Sequence, residues 1–225
     1  MSYFGEYLLK LSVGFGIICL FYQLMLKKLT FYKWNRFYLL GYTPLCFFIP
    51  LINISEVIQE HNVNVYKPFD LIPSIIPGNA APSSVILQEN NYSWTLTNLP
   101  FIVFISGIVI MTVRLVIQFI ALRRLIQKAE LVSDEEIKLY QVNRRIIPFA
   151  FGKSIFMNRQ LHEAKDIEEI IRHEFVHIRQ KHSVDIMWAE LLCVINWYNP
   201  FVWWIRSSIK QNLEYLADNK VLQDG

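Results

Sequence analysis

The residues of this sequence best suited to metal chemistry are two histidines and a glutamate in RHEFVHIRQKH, residues 172–182. His173 and His177 are four residues apart, so on a helix both imidazoles project from one face and can bind one ion. Glu174 follows the first histidine and completes HExxH, the two-histidine arm of a zinc hydrolase. The pattern predicts one Zn²⁺ per chain, with Glu174 as the general base that takes a proton from zinc-activated water. The alternative interpretation is a solvated helix with surface charges.

A catalytic zinc ion needs a third protein ligand, and the best candidate lies in QNLEYLAD, residues 211–218. Glu214 and Asp218 are also four apart and share a helical face. We expect Glu214 to complete a His2Glu site. We expect Asp218 to accept the N–H of a ligating histidine and so to fix its orientation. His162 and His182 remain alternative ligands, although each is more often a surface histidine.

The local sequence predicts the elements that must carry these groups. Asp166 and Glu169 form a capping pattern ahead of apolar positions at helical spacing, so we expect the HExxH helix to start there. Two β-branched or aromatic-rich runs, residues 136–142 and 152–158, predict two strands of a small sheet on either side of the turn-like NRRIIP. A strand edge near the metal is predicted to bind an extended peptide by main-chain hydrogen bonds. The residues proposed for that edge are Gly152, Lys153, Ser154, Ile155, Phe156 and Met157.

The composition indicates a membrane protein. The chain has 225 residues and is 53% apolar and 15% aromatic, which exceeds the roughly 45–50% apolar content of soluble domains. Residues 7–26, 37–54 and 99–121 come close to the roughly 20 apolar residues that a membrane-spanning helix requires. The net charge of +3 is too small to indicate nucleic acid. Its three single cysteines indicate neither a disulfide framework nor a cysteine zinc cluster.

The basic residues beside these segments predict the orientation in the membrane. Lys and Arg cluster between the first two spans and after the third, which places both clusters in the cytoplasm. The clusters are Lys27, Lys28, Lys33 and Arg36, and then Arg123, Arg124 and Lys128. Residues 1–121 are therefore predicted to form a lipid-embedded region with an external N-terminus and an external loop at 55–98. Residues 122–225 are predicted to form a cytoplasmic domain containing the zinc site, in a multi-pass protein of a bacterial-type inner or cytoplasmic membrane.

Another apolar run, residues 186–205, separates the two halves of the site. A single crossing there would put Glu214 outside and His173 in the cytoplasm, so the two could not share an ion. Asn199 and Pro200 interrupt the run. We therefore predict a helical hairpin that packs against the catalytic helix or lies at the bilayer interface.

Four segments resemble the BlaR/MecR-type integral-membrane zinc metallopeptidases. They are PFAFG at 148–152, HEFVHIRQKHSVD at 173–185, WYNPFVWW at 197–204 and NLEYLAD at 212–218. The resemblance implies that His173, His177 and Glu214 bind zinc, that Glu174 is the catalytic base, and that an external signal triggers cytoplasmic proteolysis. Family substrates include a transcriptional repressor or the protein itself. Sensor members continue into a further span and an external penicillin-binding domain. This chain ends seven residues after Asp218, so we interpret it as a truncated chain or a short relative that lacks the sensor.

These features predict a mainly α membrane protein with three transmembrane helices and a cytoplasmic α+β gluzincin-like zinc metallopeptidase domain with a small β-sheet. The predicted function is zinc-dependent cleavage of cytoplasmic peptides, or of the chain itself, in signal transduction. The predicted partners are membrane lipid and a peptide or protein substrate, without nucleic acid. Two alternatives are a non-catalytic, zinc-stabilised membrane signal transducer and a membrane metalloprotease of the prenyl-protein or quality-control type. The sequence indicates neither the signal nor the oligomeric state.

Overall fold

The structure of this protein is a computed structural model that describes residues 3–51, 94–134 and 137–224. These residues form a mostly helical protein with one small mixed sheet, as predicted. The helices are α1 (Tyr3–Phe21, continued by a π-helical turn at Tyr22–Leu26), α2 (Tyr32–Leu45), α3 (Trp94–Gln127), α4 (Ala164–Arg179), α5 (His182–Ile195) and α6 (Pro200–Asp224). The chain divides into two compact units, one formed by Met1–Leu51 and Phe104–Gly225 and the other by Ile52–Val103. Of the second unit, only the start of α3 is described.

Two of the described helices are long and apolar enough to cross a membrane, Phe4–Leu26 and Asn98–Gln127. They coincide with the predicted spans at 7–26 and 99–121. The most apolar part of the first is 39% buried and that of the second only 6%. The difference arises because Leu11, Phe15 and Cys19 on α1 join the protein core, whereas most large side chains of α3 are exposed. An apolar and exposed surface is what a lipid-facing helix requires.

The predicted second span, residues 37–54, is not a continuous helix. α2 ends at Leu45, directly after Pro44, and a separate 3-10 turn follows at Ile49–Leu51. Proline lacks an N–H and its ring clashes with the preceding turn, so it favours the end of a helix. The 14 residues of α2 extend about 21 Å at 1.5 Å per residue, which is short of a bilayer core of about 30 Å. Residues 52–54 lie outside the described residues, as does the predicted external loop at 55–98 apart from residues 94–98, which begin α3.

Helix α6 lies at the centre of the helical core and contacts α1, α2, α4 and α5. Its buried side chains recur every three or four residues, as on one broad face of a helix. The apolar ones are Val202, Ile205, Ile209, Leu213, Leu216 and Ala217. The first four pack with Phe15, Leu39 and Leu192 from three other helices. Glu214 and Asp218 also lie on α6. The packing of this helix therefore fixes where both carboxylates lie along its axis and which way they face.

Helices α5 and α6 form the predicted hairpin, with its turn at residues 196–199. Across the hairpin, Glu190 Oε1 accepts hydrogen bonds from Arg206 Nε at 2.8 Å and Lys210 Nζ at 3.0 Å. At the tip, Trp197 Nε1 donates to the carbonyl oxygen of Phe104 in α3 at 3.2 Å. Phe104 lies about 35 Å from the C-terminal end of α3 at 1.5 Å per residue. The hairpin tip therefore contacts α3 far from its C-terminal end. Both hairpin helices also contact the HExxH helix α4, which is one of the two predicted arrangements.

Gly107 permits the close approach of α3 and the hairpin tip. A Cβ atom at this position would overlap the indole ring of Trp197, whereas a Cβ at Gly41 in α2 would meet no atom within 4 Å. We expect Gly107→Ala to lower the free energy of unfolding by about 1–3 kcal/mol, the usual cost of overpacking. The matched Gly41→Ala change should be neutral or slightly stabilising, because alanine is the better helix former. Denaturant unfolding in detergent micelles measures both, and equal effects would contradict the prediction.

The sheet contains β1 (Glu130–Asp134), β2 (Lys138–Gln141), β3 (Phe149–Phe151) and β4 (Ser154–Met157), in the order β1-β2-β4-β3. Strands β2 and β4 lie within the two predicted segments and pair in parallel. Strands β1 and β3 were not predicted. β3 folds back on β4 through a two-residue turn, where Gly152 has a φ of 63° that favours glycine.

This strand order corrects the predicted substrate edge at Gly152–Met157. β4 is hydrogen-bonded to β2 on one side and to β3 on the other, so it has no free edge. Gly152 and Lys153 lie in the turn that precedes β4. The free edge nearest the catalytic helix belongs instead to β3, which contacts α4 directly. The sequence did not reveal this strand because three residues are too few for a recognisable strand period.

Candidate metal centre

Helix α4 carries the HExxH segment and begins at Ala164, two residues before the predicted start. Its N-cap residue is Glu163, whose side chain makes no capping hydrogen bond. The predicted capping pattern at Asp166 and Glu169 is therefore wrong. Asp166 lies inside the first turn, where its negative charge interacts favourably with the helix dipole. The error does not affect the site, because His173 and His177 lie one turn apart in the same helix.

The structure brings together the three residues predicted as ligands. His173 Nε2 lies 3.1 Å from His177 Nε2, and Glu214 Oε2 lies 3.3 Å from the first of these atoms and 3.8 Å from the second. Ligand atoms bonded to zinc at about 2.0–2.2 Å in a tetrahedron are separated by roughly 3.3–3.6 Å. Two imidazole nitrogens and one carboxylate oxygen are also a donor set found in catalytic zinc sites. The three side chains therefore fit one zinc ion.

The second ring nitrogen of each histidine also has a partner. His173 Nδ1 lies 3.1 Å from Asp218 Oδ1, which is the contact predicted for Asp218. His177 Nδ1 lies 2.9 Å from His182 Nδ1. Partners of this kind fix the tautomer and orientation of ligating histidines. Both imidazoles therefore direct Nε2 towards Glu214.

His162 and His182, the two alternative ligands, lie outside the group of three clustered side chains. His182 contacts the far side of the His177 ring, away from Glu214, and His162 is not part of the group formed by His173, His177 and Glu214. His182 was expected to be a surface histidine if it was not a ligand, but its side chain is only 1% exposed. Lys181, in the left-handed conformation with a φ of 56°, reverses the chain and turns His182 back towards the site. No local signal identifies such a reversal at a lysine.

The burial of these side chains and the charges around them shift their pKa values. A hydrogen bond to Glu214 raises the pKa of His173 and lowers the pKa of Glu214. Burial lowers the pKa of His177. Burial, together with the positive charges that His177 and Arg36 can carry, lowers the pKa of His182 to about 3. His182 is therefore neutral at physiological pH, as a hydrogen-bond acceptor for another histidine must be.

Glu174 lies in a cleft beside the three clustered side chains. The cleft has a volume of about 650 Å³ and is lined by Ile147, Pro148, Glu169, Ile170, His173, Glu174, Asp218, Val221 and Leu222. Burial raises the pKa of Glu174, and a backbone hydrogen bond from Ala150 partly opposes this effect. Ala150 is the middle residue of β3, so the free strand edge and Glu174 are adjacent. The arrangement suits a carboxylate that exchanges protons with a bound substrate.

Comparison with known proteins agrees with this geometry. Residues 153–224, about a third of the chain, match the family model described as BlaR1 peptidase M56. No curated protein matches the chain. The matched region contains β4, α4, α5 and α6, and thus all three clustered side chains together with Glu174 and Asp218. The match confirms that the chain resembles the BlaR/MecR-type peptidases, and this M56 family, with the two candidate membrane helices, indicates a membrane metallopeptidase.

Proposed function

We propose that this protein is an integral-membrane zinc endopeptidase in which His173, His177 and Glu214 hold the metal and Glu174 is the general base. The observation that supports this most directly is the separation of the three ligand atoms by 3.1–3.8 Å beside the cleft that contains Glu174. The M56 match supports a metallopeptidase in general. The identity of the ion as zinc rests on the His2Glu donor set.

Peptide hydrolysis requires one group that accepts a proton from water and returns it to the departing amine. When bound, zinc lowers the pKa of a coordinated water and polarises the substrate carbonyl. Glu174 takes the proton of the attacking water as the new C–O bond forms. The same carboxyl group then donates that proton to the amide nitrogen as the C–N bond breaks. Burial raises the pKa of Glu174, which favours its role as an acid, and the charge of a bound Zn²⁺ would oppose that rise and favour its role as a base.

We propose that the substrate peptide lies along β3 in an extended conformation. No described strand pairs with the outer edge of β3. The Ala150 N–H bonds to Glu174 there, and the remaining outward main-chain groups of β3 can pair with the peptide. The apolar part of the cleft favours an apolar substrate side chain next to the cleaved bond. That part is formed by Ile147, Pro148, Ile170, Val221 and Leu222. A cytoplasmic protein such as a transcriptional repressor, or a segment of the chain itself, is the proposed substrate, cleaved in response to an external signal.

We propose that α1 and α3 cross a bacterial-type cytoplasmic membrane, that the segment around α2 provides a third span, and that the zinc site is cytoplasmic. The basic residues that follow α1 and end α3 support this orientation. A cysteine introduced at Glu214, in a chain whose three native cysteines are buried, should react with a membrane-impermeant maleimide only after the cytoplasmic side is exposed. Labelling of intact cells from outside would contradict the orientation.

A non-catalytic transducer, the second candidate, would hold the metal for structure alone. Glu174 argues against it, because its carboxylate is half-buried in the cleft and is not needed as a ligand. A prenyl-protein or quality-control protease would share the HExxH chemistry. The M56 match favours a BlaR/MecR-type enzyme over this alternative.

Removal of the metal tests the proposal directly. The purified protein in detergent is expected to contain one zinc ion per chain, and chelation is expected to abolish cleavage of peptide mixtures and of the chain itself. Added Zn²⁺ should restore cleavage, because the ligands remain folded in the helical core. Zinc content and cleavage products can be followed by metal analysis and mass spectrometry. Failure to bind zinc would contradict the whole proposal, whereas zinc binding without any cleavage would favour the transducer.

A further inference from the structure

His182 is the first residue of α5, and its side chain is almost completely buried, with 1% exposed. Its ring stands nearly perpendicular to that of His177, at an angle of 84° with the centroids 4.7 Å apart. The shortest contact joins the two Nδ1 atoms at 2.9 Å. This is a hydrogen-bond distance, so one nitrogen must donate and the other accept.

The donor can be assigned from the orientation of His177. Its Nε2 faces His173 Nε2 and Glu214 Oε2, so Nε2 is the atom available to a metal ion. A ligating nitrogen offers its lone pair, and the proton of a neutral imidazole is then on the other nitrogen. His177 Nδ1 therefore donates to His182 Nδ1. It follows that His182 carries its own proton on Nε2, which lies 3.3 Å from the acceptor Gln180 Oε1.

Further contacts hold this chain of hydrogen bonds in place. Arg36 of α2 donates from its guanidinium to the backbone oxygen of Gln180 at 2.9 Å. The same Arg36 nitrogen forms an ion pair with Asp185 Oδ2, in the first turn of α5, at 2.8 Å. The Asp185 side chain is only 8% exposed, so the pair is shielded from water. Arg36 thus ties the connection between α4 and α5, and with it His182, to α2.

We propose that His182 is a positioning residue that holds His177 in the tautomer and orientation that bind the metal, and that Gln180 holds His182 in turn. This inference rests on the proposed metal site. The two ligating histidines then differ: His173 is oriented by the carboxylate of Asp218, and His177 by a neutral imidazole. Metal retention depends on the acceptor at His182, although His182 does not touch the ion.

Two variants of His182 distinguish the loss of the hydrogen-bond acceptor from a change in side-chain packing. His182→Leu fills a similar space but removes the acceptor, whereas His182→Asn places an oxygen acceptor close to the original Nδ1 position. The zinc dissociation constant of the full chain in detergent is measured by competition with a chromogenic chelator. We expect His182→Leu to weaken zinc binding by roughly 10–100-fold, the usual effect of losing a ligand's partner. His182→Asn should recover most of the loss.

Each outcome distinguishes this inference from the proposed function. A parent protein that binds no zinc would refute the metal site itself. With a zinc-binding parent, unchanged affinity in His182→Leu, or equal losses in both variants, would overturn the role of the acceptor. If His182→Leu does not fold, Gln180→Met and Gln180→Glu decide the matter, since only the second retains an acceptor for His182 Nε2. Equal zinc affinity in these two variants would also overturn the inference.

Discussion

Glu174→Gln is expected to retain one zinc ion per chain while its rate of peptide cleavage falls by roughly 10²–10⁴-fold, the usual contribution of a general base. The amide has the same shape as the carboxyl group and can still accept the hydrogen bond from Ala150. It cannot take a proton from water at neutral pH. The rate is measured on a peptide that the parent protein cleaves, together with the zinc content of each preparation.

Glu168→Gln provides the matched control for this substitution. Glu168 lies on the same helix, is 69% exposed and pairs with Arg172, one turn away. Its substitution removes the same charge outside the cleft and should leave the cleavage rate unchanged. If Glu174→Gln cleaves at the parent rate with zinc bound, Glu174 is not the base.

Glu214→Ala is expected to weaken zinc binding by more than about 100-fold, since even the residues that orient metal ligands contribute about 10–100-fold. The two histidines would remain, but the ion would lose the only negatively charged group of the three clustered side chains. Because 60% of the Glu214 side chain is exposed, its removal leaves no large cavity. The metal-free variant should therefore unfold close to the parent temperature.

Gln211→Ala is the matched control for this second change. Gln211 is an exposed residue one turn earlier on α6, donates from its Nε2 to Tyr215 Oη at 2.8 Å, and is not one of the three clustered side chains. The zinc affinity of the Gln211→Ala variant should equal that of the parent protein. Parent-like affinity in Glu214→Ala would show that the third ligand lies elsewhere.

The separation of the site residues along the chain explains how much of the site was predictable. His173 with His177, and Glu214 with Asp218, are one helical turn apart, and the period of a helix alone puts each pair on one face. The structure then brings the two pairs together because α4 packs against α6. This meeting was predicted from complementary chemistry, since two histidines and a carboxylate form a complete zinc donor set.

The membrane region was predictable where apolar length alone identifies a helix, as in α1 and α3. The length of the helix around α2 was not predictable in this way. Composition suggested one continuous apolar helix at 37–54, but α2 ends at Leu45, directly after Pro44, and Leu39 packs in the protein core. A hydropathy pattern records how apolar a segment is, and it does not distinguish burial in lipid from burial in protein.

By itself, the sequence predicted the type of chemistry and the side chains proposed to supply it, because helical spacing and ligand chemistry are local properties. Only the tertiary structure decided which strand edge faces Glu174 and what lies behind His177. β3 occupies the edge that was expected for β4 because Gly152 reverses the chain, and His182 contacts His177 because Lys181 does the same. Such reversals depend on packing between distant segments. Neither a strand order nor a contact between the ends of two helices is encoded in the spacing of residues along the chain.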